Sequence, residues 1–362
     1  MEDTSRRREP ASRRREDGDR DDYQDAISMW CLNPSFWDEF RFTGEVLGQG
    51  TFGKVVKVEN NSIFYAVKLM TVGDAVYNTE SKILQFLSRK CENVMKYYQS
   101  WIVLDYEYPL EKTWAAIVME YISGPNLVAL LRNWYNEDVT EYRKIPPLEV
   151  WDIMYHLTKQ LKCIHDEKIV HGDIKLDNIV LDDKHEVATL VDYGSSCATQ
   201  PIEGDGIAIC GSFITSGTYA YMAPEVIYEL EEKPIGISLD RDLLYASDIW
   251  SFGAVMFSVM VGQFLVDSLG GNRDEIPSLD ILRRIEQLNG FYPEDPELES
   301  LVKRMLSYQP SDRPNATQIL ESLENMKDLV NEYLERTTNS LLLQRYEETI
   351  VERSPGPELM SL

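Results

Sequence analysis

HGDIKLDN, His171 to Asn178, is followed fourteen residues after Asn178 by Asp192, Tyr193 and Gly194. The residue types in these two stretches suit one kind of chemistry. Asp173 can accept a hydroxyl proton and Lys175 can neutralise a phosphate, while the Asn178 amide and the Asp192 carboxylate can hold a divalent cation against a polyphosphate. Together they outline a phosphoryl-transfer site.

Upstream, GQGTFGKV (Gly48 to Val55) places Gly48, Gly50 and Gly53 where side chains would keep a backbone from approaching phosphates, with Val55 able to cover an adenine face. A dinucleotide-binding turn shares these glycines but leads directly into a helix. Here a second strand-like run, Lys54 to Val58, follows instead, which points to a hairpin over a nucleotide. Lys68 lies fifteen residues beyond Gly53 at the end of an apolar strand, and a buried lysine demands a partner. Helical spacing turns Ile83, Leu84 and Leu87 to one side and leaves Glu80 to face Lys68. Further strand-like runs lie at Tyr97 to Leu104 and Trp114 to Tyr121. Helical patterns follow at Pro147 to Asp166, Ala246 to Val261, Ile281 to Leu288, Leu298 to Leu306 and Ala316 to Leu323. Strands thus precede helices, an α+β arrangement.

The order and spacing of these elements resemble the eukaryotic protein kinase superfamily over residues 41 to 330. GTYAYMAPE (Gly217 to Glu225) resembles the end of a kinase activation segment. DIWSFG from Asp248 resembles the start of the helix that anchors the catalytic loop, and Arg313 resembles the arginine that pairs with Glu225. The resemblance implies a bilobal fold, with a small antiparallel-sheet lobe plus one helix over 41–122 and a larger, mainly helical lobe over 123–330. It also implies ATP and magnesium as cofactors and a protein as the acceptor. Asp173, Lys175, Lys68, Glu80 and Thr218 would be catalytic, and Asn178 and Asp192 would hold the metal. Leu47, Gly48, Gly50, Gly53, Val55, Ala66, Lys68 and Met119 would line the ATP site, with Glu120 to Ile122 as the hinge. Lys175 two positions after the base, with Thr218 after a glycine, resembles the serine/threonine kinases. A non-catalytic scaffold of this fold is opposed by the intact Lys68, Glu80, Asp173, Asn178 and Asp192. A small-molecule kinase is opposed by the GTYAYMAPE floor.

Gly172 stands where most members have an arginine that clamps a phosphorylated activation loop, so activity independent of that phosphate is expected. On this view, alanine at Ser195, Ser196, Thr199, Ser212, Thr215 and Ser216 would leave catalysis largely intact. Tyr193 replaces the usual phenylalanine and adds a hydroxyl that needs a partner. HGDIK, the tyrosine and the short Lys68–Glu80 interval are similar to the vaccinia-related branch of the casein kinase group. The Ala223–Glu225 ending departs from that branch.

Glu225 to Asp248 spans twenty-three residues and carries Glu229, Glu231, Glu232, Asp240 and Asp242. With Asp177, these acids favour basic residues around the acceptor, or else form an ordinary solvated loop. The whole chain shares the acidity: 36 basic and 61 acidic side chains give a net charge of -25, which argues against nucleic-acid binding by the folded body. Residues 1 to 28 form a charged arm expected to be disordered, 29 to 40 an extension whose Phe36, Trp37 and Phe40, with Phe42, pack onto the first lobe, and 331 to 362 a polar tail. Five cysteines without paired spacing suggest neither a zinc site nor a disulfide framework, and fit a reducing compartment, cytoplasmic or nuclear. The apolar run Ile249 to Val266 reads as a buried helix rather than a membrane span.

Overall fold

The computed structural model describes residues 39–50, 53–72, 76–104, 113–134, 145–202, 206–210, 218–232, 241–263, 265, 278–292 and 295–337. The charged arm, Phe36, Trp37, most of the tail and Ser212, Thr215, Ser216 and Asp240 lie outside them. The chain divides into two compact units, one containing residues up to Gly73 with Tyr98–Tyr121, the other Asp74–Tyr97 with Ile122 onward.

The first unit is a sheet of β1 (Arg41–Gly50), β2 (Gly53–Asn60), β3 (Ile63–Val72), β4 (Tyr97–Leu104) and β5 (Thr113–Glu120), in the order β1-β2-β3-β5-β4. The β1/β2, β2/β3 and β3/β5 pairs are antiparallel. Between β2 and β3 the paired residues Asn60 and Ile63 leave Asn61 and Ser62 as a two-residue turn, both with positive φ, as the right-handed twist of a hairpin favours. Alternation then sorts the side chains. Val56 and Val58, Val67 and Leu69, and Ala116 and Val118 share one face with Phe40 as a buried cluster, against which Phe42, Tyr65 and Trp101 pack. Phe40 meets Tyr65 and Trp101 edge to face, at 5.5 and 6.2 Å between ring centroids. Each of these buried aliphatic side chains contributes about 1.5–3 kcal/mol.

The second unit begins with α1 (Val76–Lys90) and continues with α2 (Leu127–Trp134) and α3 (Pro147–Asp166). Two short pairings follow, β6 (Ile169–Val170) with β9 (Cys197–Ala198) and β7 (Ile179–Leu181) with β8 (Ala188–Leu190). The remaining helices are α4 (Pro224–Glu232), α5 (Arg241–Val261), α6 (Ser278–Ile285), α7 (Pro296–Met305) and α8 (Ala316–Thr337). Helix starts carry sequence-legible caps. Asp295 accepts from the Leu298 amide with Pro296 in the first turn of α7, and Asn315 and Gln318 exchange side-chain-to-backbone bonds of 2.9 Å at the start of α8. The buried Gln160 of α3 is satisfied by β8, accepting from the Leu190 amide at 2.8 Å and donating to the Ala188 carbonyl at 2.7 Å. Helix α5 is the one helix among the described residues long and apolar enough to cross a membrane, but 72% of its most apolar window is buried inside the protein. It is a core helix, carrying Trp250, Phe252 and Phe257.

The cysteines depart from expectation. Cys91 is bonded to Cys163 and Cys197 to Cys210, across sequence separations of 72 and 13 residues. Their spacing gives no warning, because the folding of α1 onto α3, and of residues 206–210 back onto β9, creates the proximity. The Lys82 ammonium of α1 donates to the Gly206 carbonyl at 3.2 Å.

Candidate functional site

The loop after β6 is fixed from beneath. Asp248, buried on α5, accepts from the His171 amide at 2.8 Å, the Gly172 amide at 2.9 Å and the ring of His165 at 3.0 Å. Burial alone would push its carboxyl up. The His165 hydrogen bond, the nearby imidazoles and the Gly172 amide outweigh that and hold it below the ordinary carboxylate value. His171 is fully buried, which pushes its imidazole down against the opposing pull of Asp248, Asp173 and Asp192. Gly172 has φ +78°, and a Cβ there would lie 2.7 Å from the Ser195 carbonyl oxygen. The backbone position is left-handed and closed to a side chain, which gives a steric reason for the missing arginine.

Above this anchor lies a polar cluster around Asp173. The Thr218 amide and hydroxyl both donate to Asp173 Oδ1 at 3.0 Å, and Lys175 Nζ donates to Oδ2 at 2.6 Å and to Thr218 Oγ1 at 3.1 Å. Asn178, at the end of the 3-10 turn Leu176–Asn178, donates its Nδ2 to the Asp173 backbone oxygen at 2.9 Å and to Oδ2 at 3.2 Å. Its amide nitrogen is thereby committed, so Oδ1 is the atom available to a cation. The β7–β8 hairpin returns the chain beside it, with the Val191 amide donating to the Asn178 carbonyl at 2.9 Å. Asp192 follows with φ +66°, a conformation aspartate tolerates better than most residues, and accepts from the Gly194 amide at 3.2 Å. An amide oxygen and a carboxylate oxygen are a hard donor pair suited to magnesium. Among the described residues no cluster of three or more His, Cys, Asp or Glu forms a self-contained metal cage.

The segment after Asp192 is built into this floor. Tyr193 is 1% exposed, its ring 5.1 Å from that of His171, and its hydroxyl has no hydrogen-bond partner among the described residues. Ser196 donates to the His171 carbonyl at 2.9 Å, and Thr199 bonds the Lys168 carbonyl and lies 2.7 Å from the Tyr245 hydroxyl. Both are buried structural groups. Alanine at these two positions would disturb the loop for reasons unrelated to phosphorylation, so the six-residue substitution expected to be silent narrows to Ser195, Ser212, Thr215 and Ser216.

In the first unit, register places the proposed nucleotide-side residues on the sheet face opposite the Val56–Val118 cluster. Val55 pairs with Lys68 and Ala66 with Met119, so these four side chains project from one surface, with the backbone of Gly48 paired beside Val55. Lys68 is 5% exposed, and Ala66 and Met119 are buried too. Leu47 is an exposed residue of β1, and Gly50 pairs with Gly53 at the hairpin's end. At Gly53, with φ +143°, a Cβ would sit 2.2 Å from the Leu69 carbonyl oxygen, so close strand approach excludes any side chain. Glu120 closes β5, and Ile122 opens the second unit's next stretch of chain. Glu80 of α1 is 3% exposed.

Beyond Thr218, residues Tyr219–Tyr221 form a 3-10 turn that leads into α4. Glu225 there meets Arg313 in a two-pronged ion pair of 2.6 and 2.8 Å, while the guanidinium also donates to the Ala246, Ser307 and Tyr308 carbonyls and lies 4.9 Å from the Trp250 ring. Comparison with known proteins agrees with this geometry: the protein kinase domain family matches residues 42–323. The mitogen-activated protein kinase kinase kinase 1b of Physcomitrium patens is 27% identical over 299 residues, 78% of this chain and 33% of its own length. A probable serine/threonine-protein kinase of Dictyostelium discoideum, iksA, is 26% identical over 329 residues, 80% of this chain and 32% of its own. The CBL-interacting serine/threonine-protein kinase 13 of Arabidopsis thaliana is 28% identical over 280 residues, 77% and 49% of the two chains. The chain thus spans about a third to a half of the length of these relatives.

Proposed function

The chain belongs to the protein kinase domain family, and from that premise we propose that it is a serine/threonine protein kinase that transfers the γ-phosphoryl group of ATP to protein hydroxyls. The observation that carries this reading is the convergence of Lys175, Asn178 and Thr218 on the single carboxylate of Asp173. An acceptor hydroxyl entering there would donate to Asp173, which orients it and takes its proton, a contribution of roughly 10²–10⁴-fold. Lys175, released from Asp173, would face the transferring phosphoryl group as its negative charge spreads. Lys68 would hold the other phosphates, and its burial suits a cation kept for that role. Asn178 and Asp192 fit magnesium, which when bound supplies charge neutralisation at the phosphate oxygens.

Gly172 supports activity without a phosphate on the activation segment, since the loop has no arginine to receive one and its geometry admits no side chain. Alanine at Ser195, Ser212, Thr215 and Ser216 together is expected to change the rate less than tenfold; a larger loss would reject this independence. Exposed Asp177 and Asp242, with the chain's net charge of -25, support a preference for basic acceptor sequences. A peptide library selecting acidic or prephosphorylated neighbours would overturn that preference. A cytoplasmic or nuclear location accompanies this reading, and cell fractionation tests it.

The decisive assay incubates the purified chain with labelled ATP, magnesium and mixed basic and acidic proteins, beside Lys68→Met and Asp173→Asn. Label on serine or threonine that disappears in both variants is the expected result. Label absent throughout, with ATP still bound, would indicate a non-catalytic scaffold.

A further inference from the structure

Residues 206–210, which precede the last stretch of the activation segment, are fastened in three ways. Ala198 and Ile209 form a parallel bridge, in which the Ala198 amide donates to the Ala208 carbonyl at 3.0 Å and the Cys210 amide to the Ala198 carbonyl at 2.7 Å. Lys82 of α1 donates to the Gly206 carbonyl. The third link is covalent, Cys197 to Cys210.

These fastenings lead directly to the catalytic loop. Strand β9, which holds Cys197, pairs with β6, and β6 runs into His171–Asn178. On the other side, Cys210 is eight residues from Thr218, whose amide and hydroxyl hold Asp173 Oδ1. The disulfide therefore ties the chain at a point eight residues before the threonine that positions the base. In the kinase family as the sequence resembles it, an arginine beside the catalytic aspartate would tie this segment through a phosphate; here Gly172 occupies that place and a Cβ would strike Ser195.

We propose that the Cys197–Cys210 disulfide is a regulatory thiol pair that orders the activation segment in place of a phosphate clamp, the oxidised form being the active one. The inference rests on the kinase reading. Cys197 is buried, whereas Cys210 is partly exposed, so an external thiolate reaches the Cys210 sulfur first. The Cys197 thiolate then leaves and takes a proton, and a second external thiol resolves the mixed disulfide at Cys210. The protein disulfide becomes two thiols as two molecules of a glutathione-type thiol become one disulfide; the reverse exchange with that oxidised species closes the pair. In a reducing cytoplasm or nucleus a disulfide of this kind is transient and senses redox state. Cys91–Cys163 instead joins the end of α1 to α3, away from the segment, and serves as an internal control.

The test equilibrates the full chain with glutathione disulfide or dithiothreitol and makes three measurements on each form: mapping of the cysteine-linked peptides, the rate of limited proteolysis within residues 203–217, and peptide phosphorylation. Oxidised protein should show the Cys197–Cys210 link, slower cleavage and a kcat/KM for peptide higher by about fivefold or more, since ordering a segment of this length shifts its population by at least that factor. Cys210→Ser should behave as reduced under both conditions, and Cys163→Ser should keep the response. Equal cleavage and equal rates in the two forms, or a Cys210→Ser protein that still responds, would overturn the proposal. If neither form transfers phosphate, the kinase reading fails, and linkage mapping with proteolysis still decides whether this pair orders the segment.

Discussion

Two aspartates at opposite faces of one loop show how differently the same side chain is used. Asp248 sits below the loop, buried, with three donors from backbone and imidazole and a carboxyl held below its ordinary range. Asp173 sits above it, and its side-chain contacts come from the side chains of Lys175, Thr218 and Asn178 together with one amide. A buried carboxylate met mainly by fixed donors works as a foundation. A carboxylate met mainly by side chains that can move aside is equipped to exchange partners with a substrate.

The contrast is broken most severely by removing the foundation. Asp248→Ala leaves two amides and an imidazole without their acceptor in a buried place, and at about 1–3 kcal/mol for each unsatisfied group the unfolding free energy should fall by about 3 kcal/mol or more. Urea denaturation checks this, and a loss under about 1 kcal/mol would mean that water or another acceptor replaces the carboxylate. Arg313→Lys tests a second buried anchor. The lysine keeps the charge but cannot reproduce the two-pronged contact with Glu225 or the carbonyl bonds, so a loss of about 2 kcal/mol is expected by the same measurement.

Acid should weaken the foundation before it touches the fold elsewhere. The folded pKa of His171 lies below its ordinary 6.5, so below that pH the unfolded chain takes the proton first and stability declines as pH falls toward the folded value. Asp248, whose folded pKa lies below its ordinary 3.8, adds a second loss at lower pH, as the unfolded chain's carboxylate protonates first. Thermal melts from pH 8 to 4 should therefore show Tm falling below about pH 6.5, and a Tm flat down to pH 5 would contradict the burial argument for His171. The smallest effect has the opposite sign. Tyr193→Phe removes a buried hydroxyl that has no partner among the described residues and should raise stability by up to about 1 kcal/mol while leaving turnover within about twofold.

The sequence made some parts of the molecule legible and hid others for identifiable reasons. Helix Pro147–Asp166 and strand Tyr97–Leu104 are found with the limits that periodicity predicts, because an apolar stripe or alternation against a core leaves a repeating mark. Helix α8 extends to Thr337, beyond its expected end at Leu323, and Met326, Leu329, Val330, Tyr333 and Leu334 carry the apolar spacing on through that extra length. The catalytic-loop residues were legible because Asp173, Lys175 and Asn178 lie within six positions of one another. What remained hidden depends on tertiary return of the chain: the two cysteine pairs, the Lys82–Gly206 contact, and the structural use of Ser196, Thr199 and His165. No local pattern marks a residue whose partner is brought to it from a distant part of the chain.

The proposal that Asp173 acts as the exchangeable base of a phosphoryl-transfer site is tested most directly by measuring kcat and ATP affinity together for Asp173→Asn. The amide keeps the shape of the side chain but cannot take a hydroxyl proton. The expected result is a fall in kcat of about 10²-fold or more with ATP Kd and Tm nearly unchanged. Turnover within tenfold of the parent chain, or a loss explained by weakened ATP binding, would contradict it.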